Sequence, residues 1–221
     1  MHNDSAFSDK QYDDAYPKGI EHHWWNVARN KMVSDLIRQA ERRQITPIGV
    51  FLEIGCGRGF VVEYFRDTGR DCFGVELAPV SIDERLRSHV WTGQDCLALS
   101  QEFRNKVELV LLLDVIEHIE DAAAFMKQIR DAYPNCRWLI ISVPARMELW
   151  SNFDEQYGHF RRYDVQRLQK ELTVAGAKII KAQYRFKILY PILYFVVRWG
   201  KGRPNTNNTP VFRCFIEYLG S

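Results

Sequence analysis

The stretch Val50-Phe51-Leu52-Glu53-Ile54-Gly55-Cys56-Gly57-Arg58-Gly59 constrains this chain more than any other. The apolar run from Gly49 to Ile54 reads as a buried strand, and three glycines at alternate positions follow it. Phe60-Val61-Val62-Glu63-Tyr64-Phe65 then has helical spacing. A strand, a glycine turn and a helix in this order let a ligand approach bare backbone. Glycine accepts positive φ and puts no Cβ in the way.

A dinucleotide fingerprint wants its third glycine at the helix start, as G-x-G-x-x-G. Phe60 stands there instead, and the last glycine comes one residue early. Glu53, ahead of the first glycine, suits a ligand with a positive group. The next strand, Asp71 to Val75, ends at Glu76, about 20 residues on, where an acid would bind ribose hydroxyls. Two acids beside a glycine turn fit an adenosine bearing an amino acid and a sulfonium better than a pyrophosphate.

With these residues the sequence resembles the class I S-adenosylmethionine-dependent methyltransferases. Their first motif is E-x-G-x-G-x-G, and the acid after strand two holds the ribose. The run Leu111-Leu112-Leu113-Asp114-Val115-Ile116-Glu117-His118-Ile119-Glu120-Asp121 is similar to the family's strand-four signature, above all in the quinone-biosynthesis subgroup. The resemblance implies a doubly wound, Rossmann-like α/β fold. Its sheet would have seven strands, mostly parallel with one antiparallel, and helices on both faces. It implies S-adenosylmethionine as cofactor and S-adenosylhomocysteine as product. Glu53, Gly55, Cys56, Gly57 and Gly59 would form the first wall of the cofactor site. Glu76, Asp95, Asp114 and Val115 would complete it.

The chain has 221 residues, room for one α/β domain with a full core and too few for two of ordinary size. We read residues 1–221 as a single domain, with 1–45 as an N-terminal lid and helix. A formal net charge of +2 sets up no basic field that calls for nucleic acid. Five cysteines, odd in number and without a CxxC pair, suit reduced thiols in a cytoplasmic protein. The first 30 residues hold acids and lack an apolar h-region, so no secretory signal is expected.

Glu21-His22-His23-Trp24-Trp25-Asn26-Val27-Ala28-Arg29-Asn30 leads into a helix carried by Met32, Val33, Leu36, Ile37 and Ala40. Trp24 and Trp25 either pack this helix on the sheet or cap the cleft. The family resemblance favours the cap and adds Arg29 to the acceptor side. A short helix is expected over 80–87, strand three near His89–Trp91, and Asp95 after it. Asp95 either contacts adenine, as the resemblance implies, or caps the following helix. Val107–Leu113 reads as a central parallel strand. A helix capped by Asp121 and strand five over Trp138–Val143 come next.

The segment Trp150 to Tyr163 leaves strand five at its carboxyl end, where open α/β sheets bind ligands. It reads as a loop rich in His, Arg and Tyr, and its Gly-His-x-Arg-Arg-Tyr run recurs in a subgroup of the family. His159 here and His118 after strand four are candidate bases, because imidazole titrates near neutrality. Each has an alternative: His118 packing against the cofactor, His159 pinning the loop. Tyr157 and Arg161 are candidate acceptor contacts, although Arg161 and Arg162 would also pair with Asp154 and Glu155. No metal site is expected, since the histidines are not spaced with carboxylates on one helix face.

Asp164 should cap a helix running to Gly176, before strands at Lys178–Phe186 and Val211–Tyr218. The last two strands enclose an apolar and basic insertion at 187–209. From Lys178 to Arg213 there are eight Lys or Arg and no acid. Ile188 to Val197 is about half the length that spans a bilayer. This segment is either a core helix or, through 187–203, a peripheral membrane contact. The function expected is methyl transfer to oxygen of a small-molecule or lipid-like, amphipathic acceptor. A catalytically silent scaffold and a NAD-dependent oxidoreductase are the alternatives.

Overall fold

The computed structural model describes residues 19–185, 189–199 and 216–220. Strands β1 (Val50–Ile54), β2 (Cys72–Glu76), β3 (Val90–Thr92), β4 (Val107–Leu113) and β5 (Trp138–Ser142) form a parallel sheet in the order β3-β2-β1-β4-β5. Beyond β5 lie β7 (Ile216–Gly220), antiparallel to its neighbours, and β6 (Ile179–Tyr184) at the edge. The helices are α1 (Trp24–Gln44), α2 (Phe60–Asp67), α3 (Gln101–Arg104), α4 (Ala122–Ala132), α5 (Asn152–Gln156), α6 (Val165–Val174) and α7 (Leu189–Trp199).

Alternation along the central strands assigns each residue to one of two layers. Phe51, Leu109, Leu111 and Leu113 face Val33, Leu36, Ile37 and Ala40 of α1 and Val61, Val62 and Phe65 of α2. Leu52, Ile54, Val110 and Leu112 face Met126 and Ile129 of α4 and Leu168 and Leu172 of α6. Both faces are buried, which is why β4 reads as a continuous apolar run. Val33, Leu36, Ile37 and Ala40 are a helical stripe at i, i+3, i+4 and i+7. Leu36 is fully buried, so Leu36→Ala would cost about 2–5 kcal/mol through lost contact and a cavity.

Capping places the helix starts where the sequence puts Asp. Asp121 Oδ1 accepts the N–H of Ala124 at 2.9 Å, and Asp164 Oδ1 that of Arg167 at 2.7 Å. Because β1 pairs with β2 on one side and β4 on the other, the strand order reverses beside β1. That reversal opens a crevice at the carboxyl ends of the strands.

Local differences from the sequence reading have local causes. The short helix expected over 80–87 is a 3₁₀ turn at Glu84–Leu86, capped by Asp83. The segment after β5 is not all loop: Ser151 and Asp154 form a capping box that starts α5. Residues 1–18 of the expected lid, and 187–188 and 200–209 of the insertion, lie outside the described residues. So do residues 211–215 of the expected last strand, which the structure places at Ile216–Gly220.

Candidate active site

The glycine turn begins where β1 leaves the sheet. Gly55, Gly57 and Gly59 have φ of 75°, 54° and 83°, in the left-handed region that a side chain rarely enters. A Cβ at Gly55 would lie 2.8 Å from Val115 Cγ2, so Val115 closes the turn from the β4 side. Glu76 closes it from the β2 side. Its Oε2 accepts the N–H of Gly57 at 2.8 Å, and its Oε1 that of Ala78 at 3.1 Å. Cys56 is buried, and burial pushes its thiol far above the ordinary range. It acts here as an apolar filler beside Gly74, not as a nucleophile.

Three carboxylates come to the ends of β1, β2 and β4: Glu53, Glu76 and Asp114. Glu53 is 3% exposed, and its Oε2 has no hydrogen-bond partner among the described residues. Burial raises its pKa to about 8; Arg29 pulls it down, and Glu76 and Asp114 push it up. Asp114 has φ of 60°, and its N–H donates to Ser142 O at 2.9 Å. Arg29 of α1 brings Nη1 within 3.7 Å of Asp114 Oδ2. The N-terminal helix thus reaches the same acids as the glycine turn. Asp95 is exposed and accepts the N–H of Leu97 at 2.8 Å as a cap, next to Gln94, whose N–H donates to Glu76 O at 3.0 Å.

The opposite wall comes from the turn after β4 and the segment after β5. The Phe160 N–H donates to Glu117 O at 2.8 Å and ties the two together. This brings the His118 and His159 rings edge to face at 4.6 Å. His159 is nearly buried, and its Nδ1 lies 2.8 Å from Asp154 Oδ1. Arg162 grips the same carboxylate, Nε to Oδ1 at 2.7 Å and Nη2 to Oδ2 at 2.9 Å. Burial alone would raise the Asp154 pKa, but hydrogen bonds from His159 and Arg162 hold it well below the usual carboxylate range.

Sequence reading found His118 and His159 but not their contact, and passed over Glu117. Glu117, His118 and His159 each offer a ligand atom, and these atoms lie within 4.8 Å of one another. These histidines and a carboxylate thus converge on one donor set without sharing a helix face. The donors come from two loops. Two imidazoles and a carboxylate suit zinc, manganese or ferrous iron.

The candidate acceptor contacts divide. Trp24 is 45% exposed at the start of α1, whereas Trp25 is buried. Tyr157 is also buried, 4.4 Å from the Phe153 ring. Arg161 donates to Glu120 O at 2.7 Å and lies 4.0 Å from Glu171, which ties it to the α6 side. Arg162, not Arg161, pairs with Asp154.

A parallel sheet with a glycine turn at the strand reversal, flanked by acids at the ends of β1 and β2, defines a Rossmann-like protein of the methyltransferase type. Residues 25–182 match the family described as "Methyltransferase domain", and the chain belongs to that family. The ubiquinone biosynthesis O-methyltransferase of Rhodopseudomonas palustris (strain HaA2) is 30% identical over 80 residues, 34% of this chain and 32% of that protein. The chain thus matches about a third of the length of these curated relatives. A Burkholderia thailandensis 1,6-didemethyltoxoflavin-N1-methyltransferase, solved with 1,6-didemethyltoxoflavin and S-adenosylhomocysteine, superposes with a TM-score of 0.59 at 16% identity. That match covers 96% of this chain and 85% of the other. The magnesium protoporphyrin IX methyltransferase of Synechocystis PCC 6803, solved with bound S-adenosylmethionine, gives 0.56 at 14% identity, covering 97% and 92%.

Proposed function

We propose that this protein is an enzyme that methylates a hydroxyl oxygen of a small or amphipathic acceptor. Its cofactor is S-adenosylmethionine and its product S-adenosylhomocysteine. The observation that carries this reading is Glu53: a buried carboxylate with an orphaned oxygen, beside a turn of bare backbone. That pair fits a ligand with a cationic amino-acid end and an adenosine. When bound, the cofactor supplies a methyl group already activated by its sulfonium.

Glu53 receives the positive group. Gly57 and Gly59 admit the ligand to the backbone. Glu76 holds the turn and keeps lone pairs for ribose hydroxyls, and Asp95 reaches the adenine amino group. Asp114 and Val115 line the methionine side. The His159 imidazole, backed by Asp154, takes the proton of the acceptor hydroxyl, which contributes roughly 10²–10⁴-fold. Aligning the acceptor with the methyl group is worth more, about 7–11 kcal/mol in favourable cases. Trp24 and Arg29 on α1 close the acceptor side, with Trp25 and Tyr157 as buried supports. Beyond the five parallel strands, we read β6 and β7 as completing the seven-stranded sheet with one antiparallel strand.

A silent scaffold would have no use for Glu53, since burying a carboxyl with an oxygen left without a hydrogen bond costs stability. A NAD-dependent oxidoreductase is disfavoured by Phe60. A second reading within the methyltransferase class rests on the Glu117–His118–His159 donor set. A divalent cation there would lower the acceptor hydroxyl's pKa in place of a base.

We read the enzyme as cytoplasmic with a peripheral membrane contact. Among the described residues no helix is long and apolar enough to cross a membrane. In α7, Leu193 is buried while Ile192, Tyr194 and Phe195 are exposed, which favours an interfacial helix over a core helix. Calorimetric titration with S-adenosylhomocysteine and with NAD tests the class. Labelled methyl transfer to a panel of hydroxylated acceptors, with and without divalent cations, tests the reaction. Binding of NAD in place of S-adenosylhomocysteine would overturn the proposal.

A further inference from the structure

Asp154 is fully buried, yet it meets four hydrogen-bond donors besides the His159 ring. Its Oδ1 accepts from Arg162 Nε at 2.7 Å and faces His159 Nδ1 at 2.8 Å. Its Oδ2 accepts from Arg162 Nη2 at 2.9 Å, the Ser151 N–H at 2.9 Å and Ser151 Oγ at 3.3 Å. A carboxylate so supplied stays ionised and has no proton to give. The proton in the His159–Asp154 bond therefore sits on the imidazole. In neutral histidine a proton on Nδ1 leaves the lone pair on Nε2.

We propose that Asp154 and Arg162 are positioning residues that fix His159 in its Nδ1–H tautomer, so that Nε2 carries the lone pair used on the acceptor side. Arg162 is the counter-charge that lets a carboxylate sit at this depth. Its Nη1 also reaches Ala145 O at 3.4 Å, which anchors the assembly to the segment leaving β5. The backbone adds a second tie, with the His159 N–H donating to Asp154 O at 2.9 Å. Ring orientation and proton location are thus set by one ion pair. Both the base and the cation reading of His159 require this tautomer, since each uses a lone pair directed away from Asp154.

The proposal rests on His159 as the working side chain, and its test is independent of turnover. Long-range ¹H–¹⁵N spectra of the full chain with ¹⁵N-labelled histidine report which ring nitrogen is protonated. In the wild type at neutral pH, Nδ1 should be protonated and Nε2 bare. In Asp154→Asn the amide oxygen should take the Oδ2 place, where Arg162 Nη2 and the Ser151 N–H both donate, which leaves the NH₂ group against Arg162 Nε and His159 Nδ1. An NH₂ group facing Nδ1 should reverse the tautomer to Nε2–H. Methyl transfer should then fall at least tenfold, with S-adenosylhomocysteine affinity changed less than twofold. A wild-type spectrum with Nε2 protonated would overturn the proposal, even if Asp154→Asn failed to fold. So would an Asp154→Asn protein that keeps the Nδ1–H form. Absence of S-adenosylhomocysteine binding would count against the methyltransferase reading alone.

Discussion

The carboxylate of Glu76 accepts the backbone N–H of Gly57 at 2.8 Å, so the acid that ends β2 sets the shape of the turn that ends β1. Its second oxygen holds Ala78 N–H in the same way. Sequence reading assigned Glu76 to ribose hydroxyls alone. In the fold it also shapes the surface on which a nucleoside would lie. Glu76→Ala should therefore weaken S-adenosylhomocysteine binding by about 1–3 kcal/mol, the cost of lost hydrogen bonds to a charged group. Glu76→Gln, which keeps an acceptor for one N–H, should fall between. Calorimetry on the three proteins checks this, and equal affinities would remove Glu76 from the site.

Glu53 makes binding and stability depend on pH. In the unfolded chain its carboxyl ionises near the ordinary value of 4.5, whereas burial holds the proton in the fold up to about 8. Between these values the folded state binds more protons than the unfolded state. Stability from this group should therefore fall as pH rises through the window, by at most about 1.4 kcal/mol per pH unit, and level off above it. Glu53→Gln should flatten the trend in urea titrations. A cationic ligand favours the ionised carboxylate, so S-adenosylhomocysteine binding near neutral pH should release up to one proton. Calorimetry in buffers of different ionisation enthalpy would show it. No buffer dependence in the wild type would mean that Glu53 is already charged.

How much of this was legible in the sequence follows the range of the interaction. The turn at Gly55, Gly57 and Gly59 is a local affair, decided by positive φ over five residues, and it could be read directly. The caps at Asp121 and Asp164 were readable for the same reason. The meeting of His118 with His159 was not, because two segments some forty residues apart are joined by the Phe160 N–H to Glu117 O bond. The pairing of Arg162 with Asp154 was among the options. Only the fold shows that it sits behind His159. Trp24 and Trp25 look alike in sequence, and the helical step of about 100° between successive residues sends the first outward and the second inward.

The two histidines should behave as one unit. Their rings lie 4.6 Å apart, so His118, expected on the cofactor side, and His159, expected across the cleft, touch each other. His159→Ala should lower kcat by about 10²–10⁴-fold with cofactor affinity nearly intact. His118→Ala should slow the same step, and the double variant should cost less than the product of the two losses. A chelator separates the readings of the chemistry. If His159 is a base, chelation leaves turnover unchanged; if the donor set holds a cation, chelation and Glu117→Gln both abolish it. Normal turnover by His159→Ala with a true acceptor would remove it from the reaction.

Helix α7 offers a test in which one turn contains its own control. Leu193 is 3% exposed and anchors the helix, whereas Ile192 and Phe195 are 56% and 55% exposed. Arg146 lies over the rings of Tyr184 and Tyr190, and Tyr190 donates to Glu148 at 2.9 Å. These contacts fix α7 beside the segment that leads to His159. Burying an exposed Ile or Phe in a lipid surface is worth about 1.5–3 kcal/mol each. Basic side chains such as Arg198 would add about 1 kcal/mol each at an anionic surface, weakened by salt. In flotation with anionic vesicles the wild type should therefore bind, less so as salt rises. Ile192→Glu with Phe195→Glu should abolish binding at unchanged melting temperature, and Leu193→Glu should lower the melting temperature instead. A wild type that binds no vesicle of any composition would exclude the lipid surface and leave α7 as a helix of the core.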